Sequence, residues 1–291
     1  MDSFELNFQQ MDPEAKWGMT GKKYTAVNNL WSLLHGIFLT AIFYGLLWPL
    51  HNLRRYPYID MFFHGGDVER STIPYYTMLL TFWCLAILWI KWRKLKVQEK
   101  ALTIQLIPDS NNFVISKMNA EKIISDMHSR VYQSECFMVL WRVECALANL
   151  HNIGRVADVS SVFSDLAEND SNFIQSSYTL AKGLIWAIPV TGFIGTVLGL
   201  SQAVGGFGAV VASGADLETL KGALGGVTGG LAVAFETTLI ALVAALIVQL
   251  LMTLLMQKEE EFLDDCSAYC HDNVISKLRM FDIAEQWEEQ A

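Results

Sequence analysis

Charge is scarce in this chain: Asp, Glu, Lys and Arg make up 18% of its 291 residues, against 52% hydrophobic residues. A large soluble domain and a chain that crosses a bilayer several times can share such totals, so the distribution along the sequence has to decide. Other absences narrow the function. No Walker-type phosphate loop, nucleophile elbow or metal-ligand cluster occurs, so an enzyme is not expected and no cofactor is expected. Cys84 lies in an apolar run, and Cys136, Cys145, Cys266 and Cys270 fall on what reads below as the reducing cytoplasmic side, so the five cysteines form no disulfide framework. Cys266, Cys270 and His271 stand at helical spacing without a fourth ligand, and no metal site is assigned to them. A net charge of −9 argues against nucleic-acid binding. The first 28 residues are long, polar and partly acidic, unlike the short basic start of a cleaved secretory signal, so the first apolar run is expected to stay in the mature protein. There is no low-complexity run, and no internal repeat beyond a division into two helical hairpins.

What the chain has is four long apolar runs. A span needs about 20 mostly apolar residues, because about 30 Å of hydrocarbon must be crossed at about 1.5 Å per residue. Residues 29–50, 75–92, 183–207 and 223–256 meet that length. Trp31 and Trp48 sit near the ends of the first, where interfacial aromatics are found. Lys16, Lys22 and Lys23 precede it, and Lys91, Arg93, Lys94, Lys96 and Lys100 follow the second. These basic flanks outweigh Arg54, Arg55 and Arg70 in the loop between them and place both flanks in the cytoplasm. An even number of spans then puts both termini there. The expected architecture is all-α and polytopic, divided into a cytoplasmic segment 1–28, a first hairpin 29–92 with an outer loop at 51–74, a cytoplasmic helical domain 93–182, a second hairpin 183–256 and a cytoplasmic helix 257–291.

The outer loop contains Gly65, Gly66 and Pro74 as breakers and the aromatic run YPYIDMFF, which suits a short interfacial segment. Over 112–150, Val114, Ile115, Met118, Ile123, Ile124, Met127 and Val131 recur at three and four places, an amphipathic helical pattern. After a break at 151–154, a helix free of Pro and Gly runs from about Val159 into the third span. The fourth span extends past Met256 into a charged stretch, residues 257–280, with Phe262, Ala268, Val274, Ile275 and Leu278 as a narrow apolar seam.

The last two spans are rich in Gly, Ala and Thr. Gly192, Gly195, Gly199, Ala203 and Gly206 form one smooth stripe on the third, and Gly222, Gly226 and Gly230 repeat it on the fourth. In lipid there is little hydrophobic drive between helices, so association relies on the close backbone approach such stripes permit. Pro189 removes a backbone donor and leaves the Ile185 carbonyl without its usual partner, which reads as a kink. Thr196 and Thr238 lie nearly equidistant from the turn at 214–216, so an antiparallel hairpin sets them at similar depth. A lone membrane Thr usually bonds a carbonyl one turn back; two at one level point to a shared polar site. Glu236 is sharper, since a carboxyl near mid-membrane costs about 2.5–3.5 kcal/mol on insertion scales. At about 100° per residue, Glu236 and Thr238 stand about 200° apart around the helix, so one faces a path and the other packing. The preferred assignment sets Thr196 and Thr238 toward an ion path and Glu236 toward neighbouring helices, with the reverse as the alternative. His35 in the first span is read as a hydrogen-bonded packing residue.

The runs IPVTGFIGTVLGL in the third span and GLAVAFETTLIALVAA in the fourth resemble the MotA/TolQ/ExbB family of proton-channel and motor subunits. The resemblance covers about residues 175–260. It implies a homopentameric ring in a bacterial inner membrane around a dimer of a single-span partner whose aspartate carries the ion. It matches Thr196 and Thr238 to the family's ion-path threonines. The transported ion would be H+ or Na+, entering from outside, neutralising the partner aspartate beside these hydroxyls and leaving to the cytoplasm as ring and dimer rotate. Four spans with a short outer loop resemble the flagellar stator subunit, whereas the Gly-Thr-Val run is closer to TolQ and ExbB. Glu236 beside Thr237 departs from both, and 93–182 carries no recognisable rotor-binding charge pattern. Two other readings compete. A structural scaffold would use the glycine stripes for assembly alone, and a secondary transporter would need an internal repeat with broken helices that this sequence lacks.

Overall fold

The computed structural model describes residues 5–18, 23–53, 57–63, 72–108, 113–148, 150 and 156–278. Lys22, Arg54, Arg55, Gly65, Gly66, Arg70, the break at 151–154 and the tail past 278 lie outside these residues. In chain order the elements are β1 (Leu6–Asn7), α1 (Phe8–Met11), α2 (Asn29–Asn52), α3 (Ile73–Leu102), α4 (Lys117–Arg130), β2 (Val131–Tyr132), α5 (Met138–Ala148), α6 (Val156–Ser177), α7 (Thr179–Ala212) and α8 (Leu217–Asn273). Four helical stretches, Asn29–Asn52, Ile73–Leu102, Asp158–Ala212 and Leu217–Lys277, are long and apolar enough to cross a bilayer. The chain is an all-α membrane protein in class; strand pairing among the described residues amounts to a two-residue parallel pair, β1 with β2, and an isolated bridge, Ile115 with Leu278. It divides into two compact units: Asn29–Trp89 with Thr179–Leu254, here the apolar unit, and Met1–Asn28 with Ile90–Tyr178 and Leu255–Ala291, the polar unit.

In the apolar unit many large side chains face outward, among them Leu34, Phe38, Trp186, Phe193, Leu246 and Leu250. Such a surface is unfavourable in water and neutral in hydrocarbon. What holds the helices together is therefore close approach and hydrogen bonding. Gly36 lets α2 lie against α3: a Cβ there would stand 2.6 Å from Trp83 Cα. The same crossing is bonded, with Trp83 Nε1 donating to Ser32 Oγ at 3.1 Å. His35 bonds the Trp31 carbonyl through Nδ1 at 3.0 Å, as expected of a packing residue. The aromatic run after α2 forms a helical turn, Pro57–Phe62, that packs back on the helix: Phe43 meets Phe62, His51 stacks on Phe63, and His51 Nδ1 bonds Asp60 at 2.8 Å. Helix α7 passes through Pro189 unbroken, and α2 likewise passes through Pro49.

The polar unit departs from the expected single helical layer over 112–150. Two helices, α4 and α5, are separated at residues 131–137, where Val131 is extended and pairs in parallel register with Leu6, and Gln133 takes a positive φ of 60°. A β-branched residue that finds an edge partner leaves the helix. Helix α5 is the centre of this unit, with Met138, Val139, Leu140, Val143, Ala146 and Leu147 buried. The long helix expected to run into the third span is interrupted at Tyr178 between α6 and α7. Of the apolar seam expected at the end of α8, Phe262, Val274 and Leu278 are buried and Ile275 is half-buried. Ala268 is exposed, and the buried line is Phe262, Cys266, Cys270 and Val274. The two thiols set aside as metal ligands are thus core side chains at four-residue spacing, as small buried hydrophobes, while His271 is exposed. None of the five cysteines is in a disulfide. Lys91 and Lys94, counted in the basic flank of the second span, have no exposed surface.

Arg142 on α5 is buried and donates through Nε to Asp170 of α6 at 2.7 Å and through Nη1 to Ser267 of α8 at 3.1 Å. Removing one member of a buried pair strands the other charge. Arg142→Met should destabilise the protein by about 3–5 kcal/mol, and adding Asp170→Leu should recover most of that loss, measured as thermal unfolding of the detergent-solubilised chain. Equal instability of the single and double variants would mean that the pair contributes through shape and not through charge.

Candidate functional site

Helices α7 and α8 are joined by the turn 213–216. Gly214 adopts φ 66°, a left-handed conformation that costs glycine nothing. Asp216 then opens α8 by accepting the Thr219 backbone N–H at 3.3 Å. So short a connection makes the helices antiparallel neighbours, and small residues decide how near they come. A Cβ on Gly195 would lie 2.6 Å from Thr237 Oγ1, and one on Gly230 would lie 2.7 Å from the Ala203 Cβ. Gly192 faces Ala241 and the Thr237 carbonyl, and Gly199 faces Ala234 and the Gly230 carbonyl. Gly222 and Gly226 meet nothing among the described residues within 4 Å. The glycines near the middle of the hairpin therefore pack within it, and those near the turn are left open.

At the middle of this seam the structure brings Thr196 and Thr238 together. Their hydroxyl oxygens contact one another, Thr196 Oγ1 reaches the Ala234 carbonyl at 3.0 Å, and Thr238 Oγ1 donates to the Gly192 carbonyl at 3.1 Å. Both residues are half-buried. The freedom of Gly192 and the position of Thr238 are linked, because only a residue without a side chain lets the threonine reach that carbonyl. Both carbonyls also accept bonds within their own helices, so the spare acceptor capacity of the node rests on its two hydroxyl oxygens. Each hydroxyl can give one proton and accept another. The node carries no charge of its own. Chemically it can pass a proton or add oxygen ligands to a monovalent cation, and it cannot by itself balance an ion in hydrocarbon.

Glu236, two residues before Thr238, is half-buried. Between them Thr237, absent from the sequence reasoning as a site residue, is buried, donates to the Ala234 carbonyl at 2.9 Å and fills the space opposite Gly195. A second polar seam joins α3 to α7. Thr77 of α3 and Thr191 of α7 bond through their hydroxyls at 3.1 Å, and Thr81 donates to the Thr77 carbonyl at 2.7 Å. Its signal was Thr77 and Thr81 at a spacing of four inside an apolar run, one face of a helix. Thr191 and Thr196 stand five residues apart on α7, so this helix bonds α3 through one hydroxyl and α8 through the other. Pro189 lies just before Thr191, beside Ile188, which with Ala241, Ala244 and Ala245 forms the apolar cluster of this hairpin. Among the described residues no group of three His, Cys, Asp or Glu side chains is placed to hold a metal.

Residues 155–267 match the model of the MotA/TolQ/ExbB proton channel family. That segment runs from α6 through the hydroxyl node and into the end of α8. No curated protein and no solved structure matches the chain.

The packed and open glycines should respond differently to a methyl group. Gly195→Ala drives a Cβ into Thr237 and should cost about 1–3 kcal/mol, whereas Gly226→Ala should stay within about 0.5 kcal/mol. Thermal unfolding of the isolated chain in detergent measures both. Equal losses would place the second glycine in a contact as tight as the first.

Proposed function

We propose that this chain, matched over 155–267 by the MotA/TolQ/ExbB proton channel family, is the ring-forming subunit of an ion-driven motor in a bacterial inner membrane. The observation that carries the reading is the Thr196–Thr238 node: two hydroxyls at one level, held by backbone carbonyls between two apolar helices. In this proposal five copies surround a dimer of a single-span partner, with both termini and the polar unit on the cytoplasmic side. The partner contributes the aspartate that the node lacks. An ionised aspartate is costly in hydrocarbon, so the dimer turns when a proton or Na+ neutralises that group and the two hydroxyls take up its hydrogen bonds. Ion entry from outside and release to the cytoplasm then drive relative rotation of ring and dimer. Glu236 faces neighbouring helices in this arrangement. The open glycines Gly222 and Gly226, near the turn, support the oligomer by leaving backbone accessible to further helices.

The test has two parts. The chain is co-expressed with a single-span protein that carries a membrane aspartate and is weighed by native mass spectrometry. The expected species contains five copies of the 32.7 kDa chain and two partners. Ion flux into vesicles is then compared for the native complex and for Thr196→Val and Thr238→Val, each expected to lower flux by about tenfold or more, a barrier change of about 1.4 kcal/mol. A pentamer whose flux is untouched by either valine would leave the scaffold reading ahead. A monomer or dimer in every detergent would end the ring model.

A further inference from the structure

The polar unit buries more charge than folding requires. Lys91 and Lys94, one turn apart on α3, have no exposed surface, and neither have Glu14 and Glu259, while Asp12 is 1% exposed. Lys94 Nζ donates to Glu14 Oε2 at 2.5 Å and to the Ala26 carbonyl at 2.8 Å, with Asp12 Oδ1 at 3.6 Å. Lys91 Nζ donates to Glu259 Oε1 at 3.1 Å, Ser177 Oγ at 2.8 Å and Thr25 Oγ1 at 3.3 Å, and lies 4.2 Å from the centre of the Tyr178 ring. These contacts fasten the segment before α2 onto α3.

The charges do not balance. Among the described residues two lysines face three carboxylates, leaving one negative charge in excess within the cluster. Glu14 and Glu259 each hold a lysine at 3.1 Å or closer, and Glu14 also accepts the Asn28 N–H at 2.7 Å. Asp12 is the least compensated. Its Oδ1 accepts the Glu14 N–H at 3.1 Å, and its Oδ2 is buried without a hydrogen-bond partner among the described residues. The charged groups around it are Glu14 from its own segment and Lys94 from α3, with Lys91 and Glu259 behind Lys94; the Cys136 thiol faces it from the turn before α5. A buried charge left over in this way is relieved by taking up a proton, and a buried oxygen with no partner marks room for one.

We propose that Asp12 is a proton-binding site that fastens the amino-terminal segment onto α3. With Asp12 neutral, two lysines meet two carboxylates. With Asp12 ionised, the cluster carries a buried negative charge and the segment loosens. The direction of its titration agrees: burial pushes the Asp12 carboxyl above its ordinary value, against the pull of Lys94. Because the folded value is raised, the neutral form is favoured in the folded state. The clasp is then tightest at low pH and weakens as pH rises from the ordinary carboxylate value through the raised one. Residues 5–28 thereby report the proton concentration on their own side of the membrane, whether or not the chain drives a motor.

Hydrogen–deuterium exchange of the full chain in detergent, corrected for the intrinsic pH dependence of exchange, tests this on peptides from residues 5–28. Protection in the native protein should fall by about tenfold as pH is raised from the ordinary carboxylate value of about 4 to about pH 8, while peptides from α5 stay unchanged. Asp12→Asn should hold the segment protected and flat across that range. Glu14→Gln leaves the two lysines facing Asp12 and Glu259 alone, so it should lower protection at low pH and remove the fall toward high pH. Flat protection in the native chain overturns the proposal whatever the variants do, and so does a pH dependence that survives in a folded Asp12→Asn protein.

Discussion

The hairpin of α7 and α8 depends on backbones that touch. Hydrocarbon gives apolar helices no reason to prefer one another over lipid, so the gain has to come from close contact and from the hydrogen bonds that close contact makes possible. Gly192, Gly195, Gly199 and Gly230 remove the side chains that would keep the helices apart. With those gone, Thr238 reaches across to the Gly192 carbonyl, and Thr196 reaches the Ala234 carbonyl. The hydroxyl node is therefore a product of the glycine seam.

The polar unit solves its packing in the opposite way. It places Arg142, Lys91 and Lys94 in its interior and meets each with a carboxylate from a segment distant in sequence. Buried pairs of this kind are poor sources of net stability, since desolvation consumes most of the Coulombic gain. They are effective at specifying which segments meet, because an unmet charge is so costly. Lys91 selects Glu259, 168 residues away, and Lys94 selects Glu14, 80 residues away. Apolar contacts alone would tolerate a slip of one turn; these pairs would not.

Much of the apolar unit was legible because its rules are local. Span length, the small-residue stripe and the equal distance of Thr196 and Thr238 from the turn are all counted along one or two helices. The resemblance to the MotA/TolQ/ExbB family was carried by the same stretch. The polar unit was less legible because its decisive contacts are long-range. Nothing local told Val131 to leave its helix and pair with Leu6, since the amphipathic period continues through it. Nothing local distinguished the buried Lys91 and Lys94 from Arg93, because all three fit an ordinary basic flank. The cysteines of α8 show a related limit. Their spacing suits a metal site and a buried helix face equally, and only the neighbours decide between them.

The chemistry of the node bears on what else the proposed motor needs. Hydroxyls and carbonyls offer dipoles, and dipoles can stabilise an ion that another group has already partly neutralised, but two threonines have no charge to exchange for that of an entering proton. The half-buried Glu236 lies about 200° around α8 from Thr238, so the two side chains do not address one cavity together. On the proposed reading the charge has to be brought on another helix, and the ring has to let that helix approach closely enough for a carboxylate to reach the hydroxyls. Apart from Gly183 at the start of α7, the hairpin's glycines with nothing near them lie toward the turn, whereas those at the level of the node are already occupied by the hairpin itself. Further helices would thus have backbone open to them nearer the turn, and at the level of the node they would find side chains and hydroxyls. That division suits a moving contact better than a fixed one. Backbone against backbone locks a register, while a hydroxyl can exchange one hydrogen-bond partner for another at little cost.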